Sequence, residues 1–161
     1  MEFYSRKSPR LPNFDYSSHN HYFVTLCTHN KACIFGDISH LNALGNIAKL
    51  DLHELSFHYK HIHVDNFIVM PNHVHAIIII DHAREETKQP SLATVIGLYK
   101  SGVSRKIRQI RPELTVWQRS FHDHIIRNQQ EYEKIWQYIQ FNYTKWKEDC
   151  FYVGTDEDKN L

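Results

Sequence analysis

No run of apolar residues in this chain approaches the roughly 18 to 20 that a helical membrane span requires. The first residues, MEFYSRKSPRLPNF, lack the uninterrupted apolar stretch of a secretory signal. Cysteine is scarce: Cys27, Cys33 and Cys150 are an odd number, and no pair has the CxxC spacing of a zinc ribbon or a thioredoxin-like site. These absences exclude a disulfide scaffold and point to a soluble protein of a reducing compartment, the cytoplasm, with no membrane partner. Charge of one sign is missing too. Lys plus Arg total 19 against 18 Asp plus Glu, a net +1, so any contact with a polyanion must be local. There is no internal repeat, low-complexity tract or linker, and 161 residues is one domain's worth. The expected organisation is a single domain over residues 1–150 and an acidic C-terminal tail over 151–161. Everything after Glu148, with Asp149, Asp156, Glu157 and Asp158, is expected to be solvated.

Hydrophobic residues at 42% and aromatics at 13% suffice for a packed core. Histidine is in excess: 13 of 161 residues, about 8%, of the side chain that most often binds transition metals and titrates near neutrality. The apolar pattern predicts a strand at 22–28, a helix over 39–59 (Leu41, Leu44, Ile47, Ala48, Leu52, Leu55), and strands at 61–69 and 73–80 joined through Met70, Pro71 and Asn72. A helix opened by Ser91 runs to about residue 110, an extended segment covers 117–127, and a third helix covers 129–147. This order predicts an α+β, ferredoxin-like four-stranded antiparallel sheet with helices packed on it.

Four His-x-His pairs occur: His19/His21, His61/His63, His73/His75 and His122/His124. Residues i and i+2 of a strand share a face, so any of the last three pairs could present two imidazoles to one ion. Spacing alone does not choose among them, and a strand-end histidine can equally be bonded to backbone. The pair His73/His75 stands out because it opens the most apolar strand, where two polar rings need a reason. In the third helix Tyr132, Ile135, Trp136, Ile139, Tyr143 and Trp146 form one stripe that should face the sheet. Tyr138 and Asn142, one turn apart, lie on its flank with Glu131 and Lys145. A hydroxyl there would project along the sheet surface, either as a nucleophile or as a half-buried structural tyrosine. The second helix carries Lys100, Arg105, Lys106, Arg108 and Arg111 with no intervening acid, a row that could track phosphates or simply be a solvated face. Arg119, Arg127 and the N-terminal Arg6, Lys7 and Arg10 are weaker candidates of the same kind.

The string FIVMPNHVHAIIII closely resembles the signature of the single-tyrosine HUH transposases, particularly the REP-associated tyrosine transposases. The likeness extends over roughly residues 6–150, through RLPNFDYSSHNHYFVTLCTHN, SLATVIGLYKSGVSRKI, VWQRSFHDHIIRN and YIQFNYTKW, although relatives have Asn-Pro where this chain has Asn142-Tyr143. The resemblance implies that His73 and His75 bind a metal, Mg²⁺ or Mn²⁺, that Asn142 completes its site, and that Tyr138 is the nucleophile. It implies a DNA nicking and strand-transfer enzyme, a monomer or homodimer, acting on single-stranded or hairpin DNA through a 5′-phosphotyrosine; the basic residues Lys100, Arg105, Lys106, Arg108, Arg119 and Arg127 would then be its DNA contacts. Two other classes stay open: a domesticated DNA-binding protein of the same fold, and a zinc hydrolase, for which no HExxH motif is present.

Overall fold

The computed structural model describes residues 11–81 and 90–153. The β-branched and aromatic run after the first turn forms β1 (Asn20–Cys27). Helix α1 (Ala43–His58) begins where the Asn42 side chain accepts hydrogen bonds from the Leu44 and Gly45 amides, satisfying two donors that a helix start leaves open. Strands β2 (Ile62–Met70) and β3 (His73–Ile80) meet at the Pro71-Asn72 turn. Helix α2 (Leu92–Arg108) is capped by Ser91, as the sequence predicts, and strand β4 (His122–Ile126) precedes α3 (Gln129–Phe141), capped by Asn128. A 3-10 segment, Asn142–Glu148, follows α3 directly.

The sheet is four-stranded in the order β2-β3-β1-β4, and every neighbouring pair is antiparallel. Strands β1 and β2 therefore run parallel with β3 between them, the split βαβ arrangement of a ferredoxin-like α+β fold. Side chains alternate between the two faces of a strand. Tyr22, Val24 and Leu26 of β1 and Val74, Ala76, Ile78 and Ile80 of β3 pack with α1 and α2 in the larger core. Phe23, Ile77 and Ile126 face the other way and meet Ile135 and Ile139 of α3. Because β3 is central and covered on both sides, its apolar run is unbroken. His73 and His75 have the parity of Ile77 and lie on the α3 face.

The structure corrects three expectations. The extended segment before α3 is shorter than 117–127: Trp117 makes an isolated bridge to Thr28, and β4 itself begins at His122. The third helix stops at Phe141, because the Asn142 amide bonds the Ile139 carbonyl three residues back and the chain tightens into 3-10 geometry. The expected apolar stripe is consequently narrower. Ile135 and Ile139 are buried, but Trp136 and Tyr143 are 39% and 53% exposed, whereas Tyr138 joins the cluster against the sheet.

Candidate active site

At the turn-proximal end of the α3 face, β3 presents His73 and His75 while α3 and the 3-10 segment present Tyr138 and Asn142. The four side chains predicted from sequence converge here. His73, His75 and Asn142 expose 0%, 1% and 2% of their surface. Tyr138 lies edge-on to Phe23 with its ring 5.3 Å from that of His75, and its hydroxyl is 3.4 Å from His75 Nε2. The rings of Trp146 and Phe151 stand 5.7 and 4.8 Å from the His73 ring and close the site.

Both imidazoles are held from behind. Asn72 donates from Nδ2 to the carbonyls of Lys31 (3.1 Å) and Phe151 (2.8 Å), so its Oδ1 is the acceptor facing His73 Nδ1 at 2.8 Å. His73 therefore carries its proton on Nδ1 and offers a bare lone pair at Nε2, the tautomer that a metal ligand needs. The Thr25 hydroxyl sits 2.8 Å from His75 Nδ1 and fixes that ring with Nε2 toward Tyr138. Burial, reinforced by the charge of Lys31, pushes His73 down to about 3. Burial and then His73 push His75 well below its ordinary value, against the opposing pull of Asp149. Both rings are thus neutral donors at any physiological pH.

Asp149 corrects the reading of everything after Glu148 as solvated tail. Its Oδ2 accepts from the Tyr138 hydroxyl at 3.2 Å and from Asn142 Nδ2 at 3.0 Å, while Oδ1 accepts from the Phe151 amide at 2.7 Å. The Tyr138 hydroxyl is therefore engaged and not simply available along the sheet surface. Burial and the Asp149 carboxylate raise its pKa above the usual phenol range. Asp156, Glu157 and Asp158 lie outside the described residues.

The donor atoms suit a metal. His73 Nε2 and Asn142 Oδ1 are buried atoms with no hydrogen-bond partner, and a buried polar atom left unpaired costs about 1–3 kcal/mol. Among the described residues, His73, His75 and Asp149 form the group of histidine and acidic side chains whose ligand atoms lie within 4.8 Å of one another. The other histidine pairs are engaged elsewhere or stand apart. His19 bonds Asp81 at 3.1 Å, His124 bonds Glu131 at 2.6 Å, and His61 and His63 belong to no such group.

The basic residues fall away from this centre. Helix α2 packs on the opposite face of the sheet, and two of its cations are already engaged: Lys100 donates to the carbonyls of Gln118, Arg119 and Ser120, and Lys106 pairs with Asp51. Arg105 and Arg108 line a depression of about 370 Å³ with Lys100, Ser101 and Ser104. Arg119 lines a neighbouring one of about 350 Å³ that shares Lys100 and Ser101. Arg127 is exposed at the end of β4, and Arg6, Lys7 and Arg10 lie outside the described residues. Sequence reasoning passed over Asp149, Thr25, Asn72 and Lys31. Asn72 had a signal, since a turn asparagine beside a histidine can bond either, but Thr25 and Asp149 are brought in only by strand register and chain reversal.

No protein-family model matches the chain. An uncharacterized protein of Haemophilus influenzae is 33% identical over 168 aligned residues, covering 92% of this chain and 93% of that protein. Among solved structures, a REP-associated tyrosine transposase bound to a REP hairpin superposes with a TM-score of 0.57 at 16% identity, over 91% of this chain and 74% of that one. A protein of Deinococcus radiodurans R1 assigned as a transposase superposes with a TM-score of 0.53 at 15% identity, over 81% of this chain and 96% of that one. The chain belongs to one family with the Haemophilus influenzae protein, and its fold is that of the REP-associated tyrosine transposase.

Proposed function

We propose that this protein is a transposase-type enzyme that cuts and rejoins single-stranded, hairpin-associated DNA through a 5′-phosphotyrosine at Tyr138, working in the cytoplasm. The observation that carries this reading is the convergence of Tyr138, His73, His75 and Asn142 in one largely buried cluster with two orphaned acceptor atoms. The fold shared with a REP-associated tyrosine transposase bound to a REP hairpin supports it.

His73 Nε2, His75 Nε2 and Asn142 Oδ1 would hold Mg²⁺ or Mn²⁺, with Asp149 near enough to contribute. Bound there, the ion would supply Lewis-acid stabilisation of charge on the phosphoryl oxygens. Asn72 and Thr25 keep the two rings aimed. Asp149 Oδ2, already accepting the Tyr138 proton in a hydrogen bond, takes that proton as the phenolic oxygen attacks phosphorus. Burial and the Asp149 carboxylate disfavour a resting phenolate, so Tyr138 needs a base when it attacks. The Oη–P bond forms, the P–O3′ bond breaks, and the departing 3′ oxygen takes up a proton. The phosphodiester is exchanged, not hydrolysed, so a 3′ hydroxyl can reverse the step and join strands without ATP. Arg105, Arg108 and Arg119 along their shared groove would track the flanking strand.

The test is incubation with hairpin-bearing single strands and Mn²⁺, followed by denaturing electrophoresis and mass spectrometry. A covalent adduct on Tyr138 that vanishes in Tyr138→Phe is expected. An adduct on another tyrosine, or one that survives the substitution, overturns the assignment. A second reading, a DNA-binding relative without strand transfer, is favoured by the closure of the site beneath Trp146 and Phe151. It predicts tight hairpin binding and no adduct under any metal condition.

A further inference from the structure

Immediately after β1 the chain turns through His29–Lys31, where Asn30 and Lys31 both adopt positive φ, 53° and 54°. Side chains with a Cβ rarely take this left-handed geometry, and such residues gather where the surroundings over-determine them. The determinants here are visible. The Lys31 amide donates to the Thr28 carbonyl at 3.1 Å, the Thr28 hydroxyl donates to the Ala32 carbonyl at 2.8 Å, and the Lys31 carbonyl accepts from Asn72 Nδ2. The other end of that same carboxamide orients His73. One asparagine therefore ties the position of Lys31 to that of the histidine.

The consequence is a cation beside the pocket. Lys31 Nζ lies 5.4 Å from the centroid of Phe151, the ring that in turn lies 4.8 Å from His73. The α2 helix packs on the opposite face of the sheet, where Lys100 and Lys106 already have partners. An ammonium resting on an aromatic face keeps its N–H donors for an anion, and lysine binds phosphate as a compact point charge.

We infer that Lys31 is the phosphate-contacting residue of this site, pairing its ammonium with a non-bridging oxygen of the phosphodiester presented to Tyr138. The choice of that particular phosphate rests on the nuclease reading above; the phosphate contact itself is read out by binding. The phosphodiester carries one negative charge and gains a second as the pentavalent arrangement forms. A cation paired with that phosphate stabilises the latter more than the former, which is how such a contact would accelerate the reaction.

The experiment compares wild type, Lys31→Met and Lys31→Arg on a hairpin-bearing single strand. The backbone of residue 31, not its ammonium, makes the hydrogen bonds that hold the turn, so all three should melt together. Lys31→Met should flatten the slope of log affinity against log salt by about 0.7, the value of one phosphate contact on a single strand. It should also slow adduct formation at saturating DNA by roughly 10²-fold, the scale of losing one oxyanion partner. Lys31→Arg should restore the slope and most of the rate, a rescue that a purely structural role would not require. A wild-type salt slope in Lys31→Met overturns the inference whatever the activity. If wild type forms no adduct, the nuclease reading falls while the slope still decides Lys31; if wild type binds no strand at all, both fall.

Discussion

The two faces of the sheet divide the labour of this molecule. On the α1/α2 face, aliphatic side chains of β1 and β3 meet buried residues such as Leu52, Ile96 and Val103, and the Tyr99 hydroxyl is satisfied by the Ala48 carbonyl at 2.9 Å. Each such aliphatic side chain contributes about 1.5–3 kcal/mol by leaving water. The α3 face has a smaller apolar cluster and then gives way to two imidazoles, a carboxamide and a carboxylate, with two atoms left unpaired. A face that buries unpaired acceptors contributes less stability and offers more chemistry. The first face holds the sheet firmly enough for the second to keep unpaired polar groups in place.

The sharpest way to break this contrast is to delete an imidazole. His73→Ala should abolish both Mn²⁺ binding, read by calorimetry, and adduct formation, as should chelation by EDTA; full activity in EDTA would end the metal-dependent reading. His61→Ala and His122→Ala, from pairs outside the pocket, should leave both nearly unchanged. Asp149→Asn comes next. It should slow adduct formation by roughly 10²–10⁴-fold, the scale of a general base, while Mn²⁺ affinity persists; loss of both together would make Asp149 chiefly a ligand.

On the other face the expected signature is inverted. Ile78→Ala, at a fully buried position of the larger core, should cost about 2–5 kcal/mol in denaturant unfolding while the rate per folded molecule at saturating DNA stays near wild type. A large loss of rate with little loss of stability there would dissolve the division between faces. The smallest effects are expected on the surface. Replacing Arg105, Arg108 and Arg119 by Gln should flatten the salt slope by roughly 0.7 for each phosphate no longer neutralised. Lys106→Met should instead weaken the α1–α2 packing, because the Asp51 carboxylate it leaves unpaired is only 10% exposed, and should leave the salt slope unchanged. Equal changes of slope from Lys106 and the arginines would return Lys106 to the DNA contacts.

Much of this was legible without coordinates, for local reasons. The alternation and apolar run of 73–80 specify a central strand, Ser91 announces a helix start, and the order of elements matches the observed sheet. A His-x-His pair on a strand shares one face by geometry alone, and Tyr138 with Asn142 fall one turn apart on a helix. Which pair becomes a site was not legible from spacing, because all four obey the same two-residue period. That choice depends on what lies across from each pair: His73 and His75 face Tyr138, Asn142 and Asp149, whereas His124 faces Glu131 and His19 faces Asp81.

The sequence by itself determined which elements form, their order and that a His-x-His pair shares one strand face, since backbone propensity and side-chain period are properties of neighbours in the chain. Only the tertiary structure decided the rest. It ended α3 at Phe141, turned Asp149 and Phe151 back over His73, set Thr25 behind His75 through the β1–β3 register, and sent Lys100 and Lys106 to partners on their own layer. These outcomes join residues that are dozens of positions apart, and no local pattern encodes a contact whose partner is chosen by the folding of the whole sheet.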